Sequence, residues 1–195
     1  MIDLSRIPKN TPMIIVVGPS GVGKSSFVEL VCKDFPALVD TVTYTTRQMR
    51  PGESEGNPYH FVSEDRFKSL IEQEFFIEFA QVHRNFYGTP RHQIDEAIEA
   101  GKVVIMDVDV QGAKTFKEKY PKALSIFIHP PSIDELRQRV LKRDGIGAKD
   151  LDVRMANALK EIGEASFFDV EMTNDDFENS YSEFKKIVEH ALKNR

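Results

Sequence analysis

The sequence predicts an α/β fold in which a five-stranded parallel core sheet is flanked by helices and interrupted by two polar insertions. Three observations carry this prediction. Five short apolar runs alternate with helix-like stretches, a glycine-rich turn joins the first run to the first helix, and two turn-rich segments break the rhythm. The runs are Met13 to Val17 (MIIVV), Leu38 to Val42, Val103 to Val108 (VVIMDV), Leu124 to Ile128 (LSIFI) and, more weakly, Val170 to Thr173. After the first run, a helix is expected to start near Gly23 and to carry Phe27, Leu30 and Val31 inward, spaced by three and four residues. Cys32 packs beside that face in this reading and carries no chemistry. From Thr43 to about Gly88 come the polar RQMRPGESEGNP, the alternating YHFV, a helix over Glu64 to Gln73, and the apolar FFIEFAQV. This stretch is expected to be a mixed or antiparallel insertion. A second interruption, Arg143 to Asp152 (RDGIGAKDLD), separates two helices and is expected to act as a mobile lid. The last helix is placed from Asp176 to about Lys193.

Composition bounds the partners. The chain has 195 residues, 41% hydrophobic and 29% charged, which suits one globular domain with a sizeable core. With 31 acidic against 26 basic residues the net charge is -5, so no global field draws the protein onto nucleic acid or anionic lipid. Any anion must meet a local basic site. The single cysteine, Cys32, excludes an intramolecular disulfide and a cysteine-built metal centre, and a reducing, cytoplasmic setting fits best. The opening MIDLSRIPKNTP has no signal-like apolar stretch, and no run approaches the ~20 residues that span a bilayer, so membrane insertion is not expected. The five histidines, His60, His83, His92, His129 and His190, show no metal-ligand spacing.

The strongest local signal is Gly18-Pro19-Ser20-Gly21-Val22-Gly23-Lys24-Ser25, which fits G-x-x-x-x-G-K-[ST] between an apolar strand and an amphipathic helix. Glycines let successive backbone N–H groups point at phosphates, and the positive end of the following helix favours the same charge. Lys24 would bridge phosphate oxygens, and Ser25 offers a hydroxyl to Mg²⁺. A P-loop announces a nucleotide without naming the reaction.

The discriminating residues lie downstream. The string TTRQMRPGESEGNPYHFV, covering Thr45 to Val62, resembles the GMP-binding segment of guanylate kinases, whose usual form is close to TTRxxRxGExxGxxYxF. FIEFAQV, YGTP, DVDVQGA, IHPPS and TNDD match further landmarks of that family in order, over almost the whole chain. The resemblance implies a P-loop nucleoside monophosphate kinase fold with a core over about 12–42, 90–142 and 155–195. A GMP-binding insertion would span about 43–89 and a short lid about 143–154. The implied reaction moves the γ-phosphate of ATP onto GMP with Mg²⁺.

Residue by residue, the resemblance puts Arg47, Arg50, Tyr59 and Tyr87 on the GMP phosphate, where planar guanidinium groups give paired N–H bonds. Glu78 would accept hydrogen bonds from guanine N1–H and the 2-amino group, with Thr43, Thr89 and Asp109 nearby. Read without the motif, Glu78 is an acid among Phe75, Phe76, Ile77 and Phe79 that should face water or a partner. The resemblance implies that Asp107 completes the Mg²⁺ shell with Ser25 through water or orients nearby groups; read from the residues alone, it could cap the helix expected after Gly112. Lys24, Arg50, Arg143 and Arg154 would be catalytic, because phosphoryl transfer needs positioning and charge neutralisation. Besides Gly18 to Ser25, ATP would meet Arg139 and Asn174. Three features depart from the family pattern: Thr43 in place of the common serine, Glu171 in the fifth run, and a lid without the usual acidic and hydroxyl residues. A catalytically silent binding module is the alternative reading, and such modules lack an intact P-loop.

Overall fold

The computed structural model describes residues 4–82, 84–145 and 148–194. His83 and positions 146 and 147 of the expected lid lie outside the described residues. In chain order run β1 (Met13–Val17), α1 (Lys24–Asp34), β2 (Leu38–Asp40), β3 (Thr43–Thr45), β4 (Ser54–Glu55) and β5 (Pro58–Phe61). Next come α2 (Glu64–Glu72), β6 (Phe76–Val82), β7 (Asn85–Pro90), α3 (Arg91–Glu99), β8 (Val103–Asp107), α4 (Val110–Lys119) and β9 (Leu124–His129). The chain finishes with α5 (Ile133–Asp144), α6 (Ala148–Gly163), β10 (Val170–Thr173) and α7 (Phe177–Lys193).

The first sheet has the order β10-β9-β1-β8-β2, with every pairing parallel. Its central strand explains why MIIVV lacks alternation: both faces are covered. Ile14 and Val16 pack with Phe27, Leu136 and Phe184 of α1, α5 and α7, whereas Met13, Ile15 and Val17 pack with Ile94 and Phe116 of α3 and α4. Each large apolar side chain fully buried this way contributes on the order of 1.5–3 kcal/mol.

The structure corrects several boundaries. On α1 the buried face is Phe27, Val28 and Val31, and Leu30 is only half-buried. Cys32 packs against the same cluster, and burial with the nearby Asp40 pushes its thiol up to about 12, which leaves it un-ionised at neutral pH. The second strand stops at Asp40, two residues early. Strand β10 lies at a sheet edge, so it alternates: Val170 and Met172 are buried, while Glu171 faces out and meets His129 at 2.8 Å. Helix α4 starts before Gly112, with the Asp109 carboxylate accepting from the Gly112 N–H at 2.7 Å; the capping acid is Asp109 and not Asp107. Helix α6 begins at Ala148, inside the segment read as a polar interruption. There Leu151, Met155 and Ala158 are buried at spacings of four and three, a helical pattern hidden by the charges around it. Gly145, at φ 57°, terminates α5.

The second sheet, β4-β5-β3-β7-β6, is mixed: β3 runs parallel to β5 and antiparallel to β7. Helix α2 covers it by stacking Phe67 on Phe76 and Phe86, with centroids 4.6 and 5.4 Å apart. A bulge between Phe76 and Glu78 breaks the β6–β7 register. Two successive residues there are buried in different places, as the pleat of a strand covered on both faces directs. Phe76 joins the aromatic cluster under α2, and Ile77 joins the main core beside α4.

Candidate active site

A cavity of about 480 Å³ opens beside the carboxyl ends of β1 and β8, with the second sheet as its opposite wall. Its floor is the turn between β1 and α1. Gly18 (φ 142°) and Gly23 (φ 105°) hold conformations that favour glycine, and a Cβ at Gly18 would run into the Ile128 carbonyl. Val22 is fully buried and its N–H donates to the Pro19 carbonyl at 3.2 Å, so Pro19 and Val22 shape the loop without lining the cavity. Lys24 Nζ donates to the carbonyls of Gly18 at 2.5 Å and Pro19 at 3.3 Å. Burial lowers its pKa, opposed by Asp107 and Glu161. Ser25 Oγ donates to Asp107 Oδ2 at 2.9 Å, joining the end of β8 to the start of α1.

The opposite wall supplies a second cationic site. Arg47 Nη1 and Nη2 donate to Glu53 Oε2 and Oε1 at 3.0 and 2.8 Å, a fork on a fork. Glu53 also accepts from the Arg50 N–H at 2.8 Å, which folds the QMRPG turn around one carboxylate. The Arg47 guanidinium lies 5.3 Å from the Tyr59 ring centre, and Tyr59 meets Tyr87 edge-on at 5.9 Å. Burial raises the Tyr59 pKa, so its phenol keeps a proton to donate.

Glu78 stands just past the bulge and lines the cavity with Thr43, Thr89 and Asp109. Thr89 is fully buried and donates its hydroxyl to Glu78 Oε1 at 2.9 Å, so it acts by orienting the acid. Burial, opposed by the Thr89 hydroxyl and reinforced by Asp109, pushes the Glu78 carboxyl up to about 7.

Three acids that the sequence did not mark as functional join the site. Glu53 stands at the fixed acidic position of the TTRxxRxGE pattern, three residues after Arg50, and that position was its signal. Glu161, from α6, lines the cavity near Lys24, and burial raises its pKa. Asp144 ends α5 and pairs with Arg50, Arg143 and Arg154. Arg143 also donates to Ser20 Oγ at 3.0 Å. Arg154 pairs behind this group and does not line the cavity. Arg139 does, held by the carbonyls of Asn174 at 3.1 Å and Asp175 at 3.3 Å. Asn174 lies behind the loop instead of on the cavity wall: its amide donates to the Val22 carbonyl at 2.7 Å.

Known proteins with this sequence and shape are consistent with one another. A family model described as guanylate kinase matches residues 10–191. Over 182 residues the chain is 56% identical to a guanylate kinase of Bdellovibrio bacteriovorus, covering 93% of this chain and 98% of the relative. A guanylate kinase of Vibrio parahaemolyticus is 44% identical over 178 residues, or 90% of this chain and 86% of the relative. The crystal structure of guanylate kinase from Anaplasma phagocytophilum superposes with a TM-score of 0.77 at 30% identity, covering 93% of this chain and 87% of that one. The match runs through both sheets and both walls of the cavity, and the chain belongs to the guanylate kinase family.

Proposed function

We propose that this chain transfers the γ-phosphate of ATP to GMP, giving ADP and GDP, inside the cavity between its two sheets. One observation supports the reading above all: a single cavity joins the Gly18–Ser25 cradle, a second pair of arginines with two phenols, and a buried carboxylate fit to read a base. The cradle would hold the ATP phosphates, with Arg139 at its adenine side and Asn174 supporting the loop from behind through its bond to the Val22 carbonyl. Arg47, Arg50, Tyr59 and Tyr87 would hold the GMP phosphate. Glu78, set by Thr89 and flanked by Thr43 and Asp109, would accept from guanine N1–H and the 2-amino group, donors that adenine lacks there.

A GMP phosphate oxygen then attacks the γ-phosphorus in line as the bond to the β–γ bridging oxygen breaks, and the electron pair leaves with ADP. No covalent enzyme intermediate is required. Lys24, Arg50 and Arg143 would spread positive charge over the transferring group, Arg154 would add its charge from behind them through Asp144, and closure between the two sheets would keep water from competing for ATP.

The residues present suit Mg²⁺ held mainly by the nucleotide. Ser25 and Asp107 offer two oxygen donors, and among the described residues no group of three or more His, Cys, Asp or Glu could hold a metal alone. Ser25 would bind the ion directly and Asp107 through water, and the ion would neutralise phosphate charge. Among the described residues no helix is long and apolar enough to cross a membrane, and we place the activity in the cytoplasm. The test is ADP formation from ATP in the presence and absence of GMP. A chain that binds both nucleotides and forms no ADP would refute the assignment.

A further inference from the structure

Asp144 belongs to none of the recognised strings, yet its carboxylate accepts three N–H bonds from Arg143 and Arg154 and forms an ion pair with Arg50. Arg143 Nε and Nη2 reach Oδ1 and Oδ2 at 2.8 and 2.9 Å, Arg154 Nη1 reaches Oδ2 at 2.5 Å, and Arg50 Nη2 reaches Oδ1 at 3.0 Å. The Asp144 side chain is only 4% exposed. It occupies the last residue of α5, where the helix's negative end disfavours a carboxylate. The arginines, and not the helix, make that location favourable.

These arginines come from three parts of the chain: Arg50 from the loop after β3, Arg143 from α5 and Arg154 from α6. Arg143 extends the cluster onto the P-loop through Ser20. Each guanidinium has five N–H donors, so all three keep free donors after meeting Asp144. Three positive charges against one negative leave the group cationic, with Arg50 and Arg143 on the cavity wall. Without the carboxylate these cations repel one another: burial and the nearness of Arg143 and Arg47 already lower the Arg50 pKa.

We propose that Asp144 is a positioning residue for phosphoryl transfer, gathering Arg50, Arg143 and Arg154 over the P-loop before nucleotides bind and without touching the reacting atoms. The inference rests on the phosphotransferase reading. Its test compares wild type with Asp144→Asn, which removes the charge at constant shape, and Asp144→Glu, which keeps it. Initial rates over ATP and GMP concentrations are read together with thermal melting. In Asp144→Asn, kcat should fall about 10- to 100-fold, as expected for misplaced catalytic groups. Both KM values should stay within about threefold, because Arg47 and the P-loop amides remain in place. Asp144→Glu should recover most of the rate, and adding Arg154→Gln to Asp144→Asn should cost less than the product of the single losses.

A kcat within about twofold of wild type in Asp144→Asn would overturn the proposal. So would a lowered KM for GMP, which would make the carboxylate a competitor of the substrate phosphate, or a Glu variant as damaged as the Asn one. Should Asp144→Asn fail to fold, Asp144→Glu with Arg154→Lys carries the test: a double variant faster than either single supports the contact, and multiplied losses overturn it. A wild type that forms no ADP sinks the phosphotransferase reading itself.

Discussion

Lowering the pH through neutrality should weaken GMP binding by protonating Glu78. Its carboxyl is pushed from 4.5 to about 7 by burial, with Thr89 opposing and Asp109 reinforcing. Only the ionised form accepts hydrogen bonds from both guanine donors. The fraction ionised multiplies the apparent dissociation constant by about 1.1 at pH 8, about 2 at pH 7 and about 11 at pH 6. Between pH 8 and pH 6 the KM for GMP should therefore rise about tenfold, equivalent to about 1.4 kcal/mol. The phosphate of GMP also takes a proton near pH 6, at roughly the value typical of phosphomonoesters. Repeating the series with Glu78→Gln separates the two, because the amide does not titrate and its residual pH dependence belongs to the ligand. The ratio of the variant's KM to that of wild type should shrink about tenfold from pH 8 to pH 6. A constant ratio across that range would refute the argument. Stability moves in the opposite sense to binding. The folded state holds a proton that the unfolded chain releases, so ionising Glu78 lowers stability as pH rises from 4.5 to about 7. The loss is on the order of 3 kcal/mol above pH 7, so Glu78→Gln should melt higher than wild type at pH 8 while binding GMP worse.

Three further outcomes can be measured with the same assay. Lys24→Ala should lose kcat by orders of magnitude while keeping its circular dichroism spectrum and melting temperature, since among the described residues its hydrogen bonds go to the Gly18 and Pro19 carbonyls. Glu53→Gln removes the charged half of the fork on Arg47, and the KM for GMP should rise about tenfold with little change in the KM for ATP. Asp107→Asn should raise the Mg²⁺ concentration needed for half-maximal rate several-fold, and excess chelator should abolish turnover in both proteins; equal Mg²⁺ titration curves would remove Asp107 from the metal site.

What the sequence made legible was local. The P-loop needs backbone conformations that only a glycine pattern provides, and the three inner core strands β1, β8 and β9 stand out because burial on both faces demands uninterrupted apolar runs. The edge strand VEMT was faint for the same reason, since one of its faces is solvated. What stayed hidden was relational. Asp144 meets Arg50 across 94 positions and Arg154 across ten, and no periodicity encodes such meetings. Thr89 carried an expected place at the base, but that its hydroxyl is spent on Glu78 depends on strand register. The start of α6 was obscured by charge, because AKDLDVRM reads as loop by composition and as helix only by the spacing of Leu151 and Met155.

The burial of both faces at the start of β6 also fixes how the second sheet can move. Ile77 is embedded beside α4, and Lys119 of that helix donates to the Ile77 carbonyl, so the strand is pinned to the core one residue before Glu78. A swing of the sheet as a rigid flap would have to withdraw an apolar side chain and break that bond. Displacement is cheapest far from the pin, at the Arg47–Glu53 turn, whose ties to the remainder of the protein run through charged groups such as Arg50 and Asp144. On the reading proposed above, the base-reading end of the acceptor site would be the anchored one, and the Arg47–Glu53 turn would be held in place through the Arg50–Asp144 ion pair. A nucleotide that docks its base first would meet a stationary surface, and any adjustment of the turn would have to loosen that ion pair.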